Sequence, residues 1–262
     1  FGSSHLGTRQ TCVEVLAAAS EEMEVEGGQE VQMNIKDASV QIRQGFVRKV
    51  YAILSTQLLL TVLVAAPIVT MVDQQWIVQH KWVMQVSFFM TICILCCMTC
   101  CLDATRKFPL NYVCLFTFTM FEGVVVGFIS ARYTWQSVVL AMGITALIFF
   151  SMTLYACVSK TDFTGLGPYL MAGLLCLIVF SFVLSIARMC GVNVLWGMMV
   201  LDLFGVLLFT FYIVYDTQLI LGEWGGHQAQ FGIDEYVFAS LVLYLDIINL
   251  FLFLLSLFGE RR

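Results

Sequence analysis

The chain has 262 residues, of which 60% are hydrophobic and 12% charged, with a net charge of −5. A soluble globular domain carries about 25% charged residues, so that class is excluded, and apolar runs of roughly twenty residues exceed what a β-barrel strand needs. The composition is that of an all-α integral membrane protein, and no basic tract suited to nucleic acid is present.

In chain order, residues 1–41 are polar and acidic, with Glu21, Glu22, Glu24, Glu26 and Glu30 crowded together. They read as a flexible tail. Residues 15–19 are too short for a signal-peptide core, so the first membrane helix is expected to serve as targeting signal. A transmembrane domain is expected over 42–262, with apolar segments at roughly 47–72, 83–102, 110–130, 137–158, 168–189, 194–222 and 236–258. Pro67 should kink the first of them. Gly165-Leu166-Gly167-Pro168 reads as a turn and a helix start, with proline where its missing N–H does no harm.

Orientation follows the Lys/Arg bias. With the N-terminus inside, the inner flanks hold Lys36, Arg43, Arg48, Lys49, Arg106, Lys107 and Lys160, and the outer flanks Lys81, Arg132, Arg188, Arg261 and Arg262. The preference is small, and one re-entrant segment would bring both ends inside. Cys93, Cys96, Cys97, Cys100 and Cys101 imitate a zinc set by spacing. They fall within one apolar helix without a histidine, so they read as small polarizable packing residues, with palmitoylation of Cys100 or Cys101 as the alternative. His5, His80 and His227 have no spacing partner and read as solvated.

Two acids stand out against this background. Asp246 lies near the middle of the last apolar segment and Asp216 near the end of the one before. A carboxylate at a membrane-helix centre costs about 2.5–3.5 kcal/mol on insertion scales, and intramembrane acids are functional-site hypotheses by default. The sixth segment ends near Leu221 to Trp224 and the seventh begins near Tyr236, so the two are expected to be antiparallel neighbours. At 1.5 Å per residue the acids then lie roughly 12 and 15 Å from the shared end and meet at one level. Two facing carboxylates do not both ionise easily, so the pair would share a proton or hold a cation such as Ca²⁺, which favours carboxylate oxygens. The bland alternative is a pair of neutral hydrogen-bonding groups stitching helices.

Other polar groups extend the candidate site. Tyr212 precedes Asp216 by four residues, and Asn249 follows Asp246 by three on the same face. Asp202 lies roughly 21 Å from Asp216 along its helix, at the mouth of a path or in the opposite helix interface, the latter being favoured. Glu122, the acid of the third segment, is a candidate for a cation route or for a structural hydrogen bond. Arg188 reads as snorkelling at its helix end.

Several stretches together resemble the Bax inhibitor superfamily in its Lifeguard branch. They are Val47-Arg48-Lys49-Val50-Tyr51-Ala52-Ile53-Leu54, Ala141-Met142-Gly143-Ile144-Thr145-Ala146 and Thr161-Asp162-Phe163, and above all Tyr215-Asp216-Thr217-Gln218 and Leu243-Tyr244-Leu245-Asp246-Ile247-Ile248-Asn249-Leu250-Phe251. The likeness covers about residues 42–258. It implies a seven-helix bundle with the last helix central, and a pH-gated calcium leak in which the acids at the positions of Asp216 and Asp246 form a proton-sharing latch. It also implies suppression of cell death and lowered calcium stores, in Golgi, endoplasmic reticulum or plasma membrane. A bacterial relative has an arginine near the end of the second helix that supports the latch, and Arg106 stands near that place.

The expectation is thus a calcium leak that needs no cofactor, with the bilayer, calcium, protons and membrane proteins of cell-death control as partners. The alternatives are a proton-coupled cation exchanger and a non-transport anti-apoptotic protein that binds partners through its acidic tail. An enzyme is not expected. Intramembrane aspartyl proteases also pair two aspartates, one after a tyrosine, but Leu243-Tyr244-Leu245-Asp246 is not their Gly-x-Gly-Asp and their Pro-Ala-Leu element is absent. A seven-helix receptor has only helix count in its favour.

Overall fold

The computed structural model describes residues 41–100, 109–222, 231–232 and 235–262. Residues 46–262 form one compact unit. The expected tail over 1–41 lies outside the described residues except for Gln41, and so do Cys101 and the segment with Arg106.

Among the described residues, seven helices are long and apolar enough to cross a bilayer. In chain order the helices of the described residues are α1 (Gln41–Met71), a short α2 (Gln74–Gln79), α3 (Lys81–Cys100), α4 (Leu110–Ser130), α5 (Trp135–Val158), α6 (Gly167–Met189), α7 (Leu195–Leu221) and α8 (Tyr236–Phe258). A single 3₁₀ turn over Thr164–Leu166 leads into α6. The protein is an all-α multi-pass membrane bundle, as its hydropathy predicts. α1 begins before the apolar run and continues past Pro67 to Met71. α2, which no apolar run signals, fills the turn between α1 and α3.

The helix ends follow local chemistry. Thr134 caps α5 by accepting from the Ser137 N–H at 3.4 Å. Pro168 sits in the first turn of α6, as expected. Beyond α6 and α7, Gly191 (φ 80°) and Gly222 (φ 56°) adopt left-handed backbone that side chains other than glycine rarely take.

α8 is the most enclosed span. It packs on α4, α5 and α7, and its Tyr244 hydroxyl bonds Thr61 of α1 at 2.8 Å. The last helix is therefore central. In lipid no hydrophobic effect drives helices together, so close approach matters, and α1 meets α4 over Gly123 and Gly127. A Cβ on Gly127 would stand 2.8 Å from Ile68 Cδ1 and 3.2 Å from the Ala65 Cα.

The end of α8 is tied to the α4–α5 turn by backbone bonds from Thr134 N–H to Glu260 O and from Arg262 N–H to Arg132 O, each 2.9 Å. Arg261 and Arg262 thus lie at the end of the bundle that carries Arg132, as an odd number of crossings requires.

The cysteines correct one expectation. Cys93, Cys96, Cys97 and Cys100 are exposed on the outside of α3, not packed between helices. Ser87, Thr91 and Met98 occupy the inward face instead. In a membrane both faces of a helix are apolar, so thiols suit the lipid side as well as the core.

Candidate functional site

Asp216 and Asp246 are both buried, at 6% and 5% exposure. Their carboxyl groups face each other across the α7–α8 interface. A carboxylate only accepts, so a hydrogen bond between the two requires a proton on one of them. Asp246 Oδ2 is buried without a hydrogen-bond partner, which leaves an oxygen that an entering cation can use. Among the described residues no group of three or more His, Cys, Asp or Glu forms a metal cluster. Two carboxyl groups fall short of the six to eight oxygens that Ca²⁺ takes.

Four consecutive residues position the pair. Side chains on a helix advance about 100° per residue, and Tyr215 to Gln218 use a full turn to touch four neighbours. The Tyr215 hydroxyl lies where a Cβ on Gly167 would stand, 2.7 Å from it, so it reaches the start of α6. Asp216 faces Asp246. Thr217 faces Tyr51 of α1. Gln218, fully buried, accepts from the Phe163 N–H at 2.7 Å and donates to Thr161 O at 3.0 Å. It therefore holds the α5–α6 loop against α7. Asp162 braces that loop by accepting from the Thr164 N–H at 3.0 Å and its hydroxyl at 2.7 Å.

The other sequence candidates divide. Tyr212 lies within electrostatic reach of both acids and packs on Phe209 and Tyr215. Asn249 is half-buried, and its amide donates to the Leu245 carbonyl of its own helix at 2.8 Å, not to the acids. Asp202 accepts from Ser256 at 2.7 Å near Arg261, in the α7–α8 interface at the far end of the bundle. Glu122 lies near Thr91 and Tyr244, in a separate polar layer where Gln57 donates to Thr119 at 3.2 Å. Arg106 lies outside the described residues. Gln57 and Gln218, buried amides that tie helices and loop, were not singled out by sequence. A long amide in an otherwise lipid-compatible run was the available signal.

This architecture defines a multi-pass helical membrane protein with an intramembrane carboxyl pair. Residues 43–262 match the family model described as Inhibitor of apoptosis-promoting Bax1, and the chain belongs to that family, the Bax inhibitor superfamily, in its Lifeguard branch. It is 35% identical to protein lifeguard 3 of Homo sapiens over 224 residues, covering 84% of this chain and 70% of that protein. It is 34% identical to protein lifeguard 3 of Mus musculus over 223 residues, with 84% and 70% covered. Bax inhibitor 1 of Schizosaccharomyces pombe is 32% identical over 234 residues, with 86% and 80% covered.

Proposed function

We propose that this protein is a pH-sensitive calcium leak that restrains cell death by lowering the calcium held in a membrane-bound store. The observation that carries the reading is the buried contact between Asp216 and Asp246. Sharing one proton, the two carboxyls hold α7 against α8 and the path is closed. Losing that proton sets two negative charges against each other, parts the helices and presents oxygen ligands to Ca²⁺. Flux therefore rises with pH. Tyr212 would donate to whichever carboxylate is freed, and Glu122 would offer a second acid to an ion on its way.

The death-regulating half of the reading is supported by the family's description, Inhibitor of apoptosis-promoting Bax1. The pair alone is equally compatible with proton-coupled exchange. Flux that needs a proton gradient marks an exchanger, and flux that only responds to ambient pH marks a leak.

The test is Ca²⁺ flux through the purified chain in liposomes across pH, with Asp216→Asn and Asp246→Asn. Each variant removes one titrating group with little change of shape and is expected to flatten the flux–pH curve. Arg48→Gln, outside the pair, is expected to keep it. Wild-type curves from both Asn variants would make the acids structural and end the proposal.

A further inference from the structure

A cavity of about 590 Å³ lies between α1, α4, α5 and α8, and neither Asp216 nor Asp246 lines it. Its inner wall includes Leu54, Val126 and Ile248, at 2%, 4% and 6% exposure. Its mouth lies between Val62 of α1 and Val139 and Phe150 of α5, which are 48%, 49% and 62% exposed. The mouth therefore opens sideways onto the surface that faces hydrocarbon. Along α1 the lining runs from Tyr51 to Thr70, roughly 28 Å at 1.5 Å per residue, close to the ~30 Å hydrocarbon thickness of a bilayer.

None of the lining residues is charged, so the slot is not a route for a bare cation, which hydrocarbon cannot solvate. At the far end Ser130, 2% exposed, lines the cavity, and its Oγ has no hydrogen-bond partner. A buried hydroxyl left so is costly. Trp135, 55% exposed, lies beside it at the start of α5, where an amphipathic ring marks the membrane interface.

We infer that this slot is a lipid site, which takes one acyl chain of a bilayer glycerophospholipid with its ester group on Ser130. A narrow apolar slot open to the bilayer fits a flexible chain, and a buried donor at interface depth fits an ester carbonyl. A rigid sterol body adapts less readily to a slot this long. The chain's inner end approaches Tyr51, the side chain that also meets Thr217 beside Asp216. The inference does not depend on the flux reading, because its test reads binding alone.

The full chain is reconstituted in phosphatidylcholine vesicles doped with a phosphatidylcholine carrying a diazirine on one acyl chain, irradiated, and mapped by peptide mass spectrometry. Adducts are expected on wall residues such as Val126 and Ile248, which flat contact with lipid does not reach. Ala146→Trp, at the exposed mouth, is expected to lower those adducts at least ~10-fold, equivalent to ~1.4 kcal/mol of lost binding. Adducts on outward-facing Phe182 of α6, 66% exposed, should stay constant and report an intact fold. Ser130→Ala is expected to lower the wall adducts by about threefold, the worth of one hydrogen bond. Labelling confined to outward residues such as Phe182 overturns the site, and so do wall adducts that Ala146→Trp leaves unchanged. Wall labelling by a diazirine sterol but not by the phospholipid overturns the assigned occupant.

Discussion

Gln218→Met should release the α5–α6 loop while leaving the bundle folded. The substitution keeps the length and apolar volume of the side chain but removes the bonds to Phe163 N–H at 2.7 Å and Thr161 O at 3.0 Å. Each buried bond is worth about 1 kcal/mol net, and a group left unpaired in the dry interior costs up to ~3 kcal/mol. Thr161 is exposed and Phe163 half-buried, so water replaces part of what is lost. The expected cost is therefore about 2 kcal/mol, or roughly 30-fold in the opening equilibrium of the loop. Hydrogen exchange reads this directly: the Phe163 amide should exchange about 30-fold faster, with amides in the middle of α8 unchanged. A Phe163 amide that exchanges at the wild-type rate in Gln218→Met would refute the idea that Gln218 holds this loop.

Three other outcomes follow from the packing. Gly127→Ala should cost about 1–3 kcal/mol as an overpacked contact, seen as a lower melting temperature in detergent, because its Cβ meets Ile68 and the Ala65 backbone. Asp202→Asn should keep both the bond to Ser256 and the flux–pH curve in liposomes, while Asp202→Leu should lower thermal stability by about 1 kcal/mol. Tyr244→Phe should lose only the bond to Thr61, about 1 kcal/mol or roughly 2–4 °C in melting temperature for a domain of this size, since Thr61 keeps its 2.9 Å bond to the Gln57 carbonyl.

Seven long apolar runs separated by short polar gaps left the bundle legible in the sequence. The depth arithmetic that put Asp216 and Asp246 at one level needed only a helical rise and a short connection. Other features were out of reach for physical reasons. The glycines at 123 and 127 advertise a close contact, but spacing within one helix cannot name α1 as the partner. Gln218 acts through a loop far away in sequence, which no periodicity encodes. Asn249 shares a helix face with Asp246, yet its amide turns back to its own backbone, a local choice that a helical wheel does not decide. The outward cysteines were misread because the lipid side of a membrane helix and its core side have the same composition.

The backbone ties between Glu260–Arg262 and the α4–α5 turn have a mechanical consequence. They fix the C-terminal end of α8, so a tilt of the helix would turn about that end. Asp246 stands roughly 20 Å from that pivot. A tilt of only about 6° carries its carboxyl about 2 Å, which is enough to end a hydrogen bond. On the proposed reading, a small tilt would then be enough to part the pair, with no unwinding of α8 and no slippage along its axis. Loosening the fulcrum itself would waste the stroke.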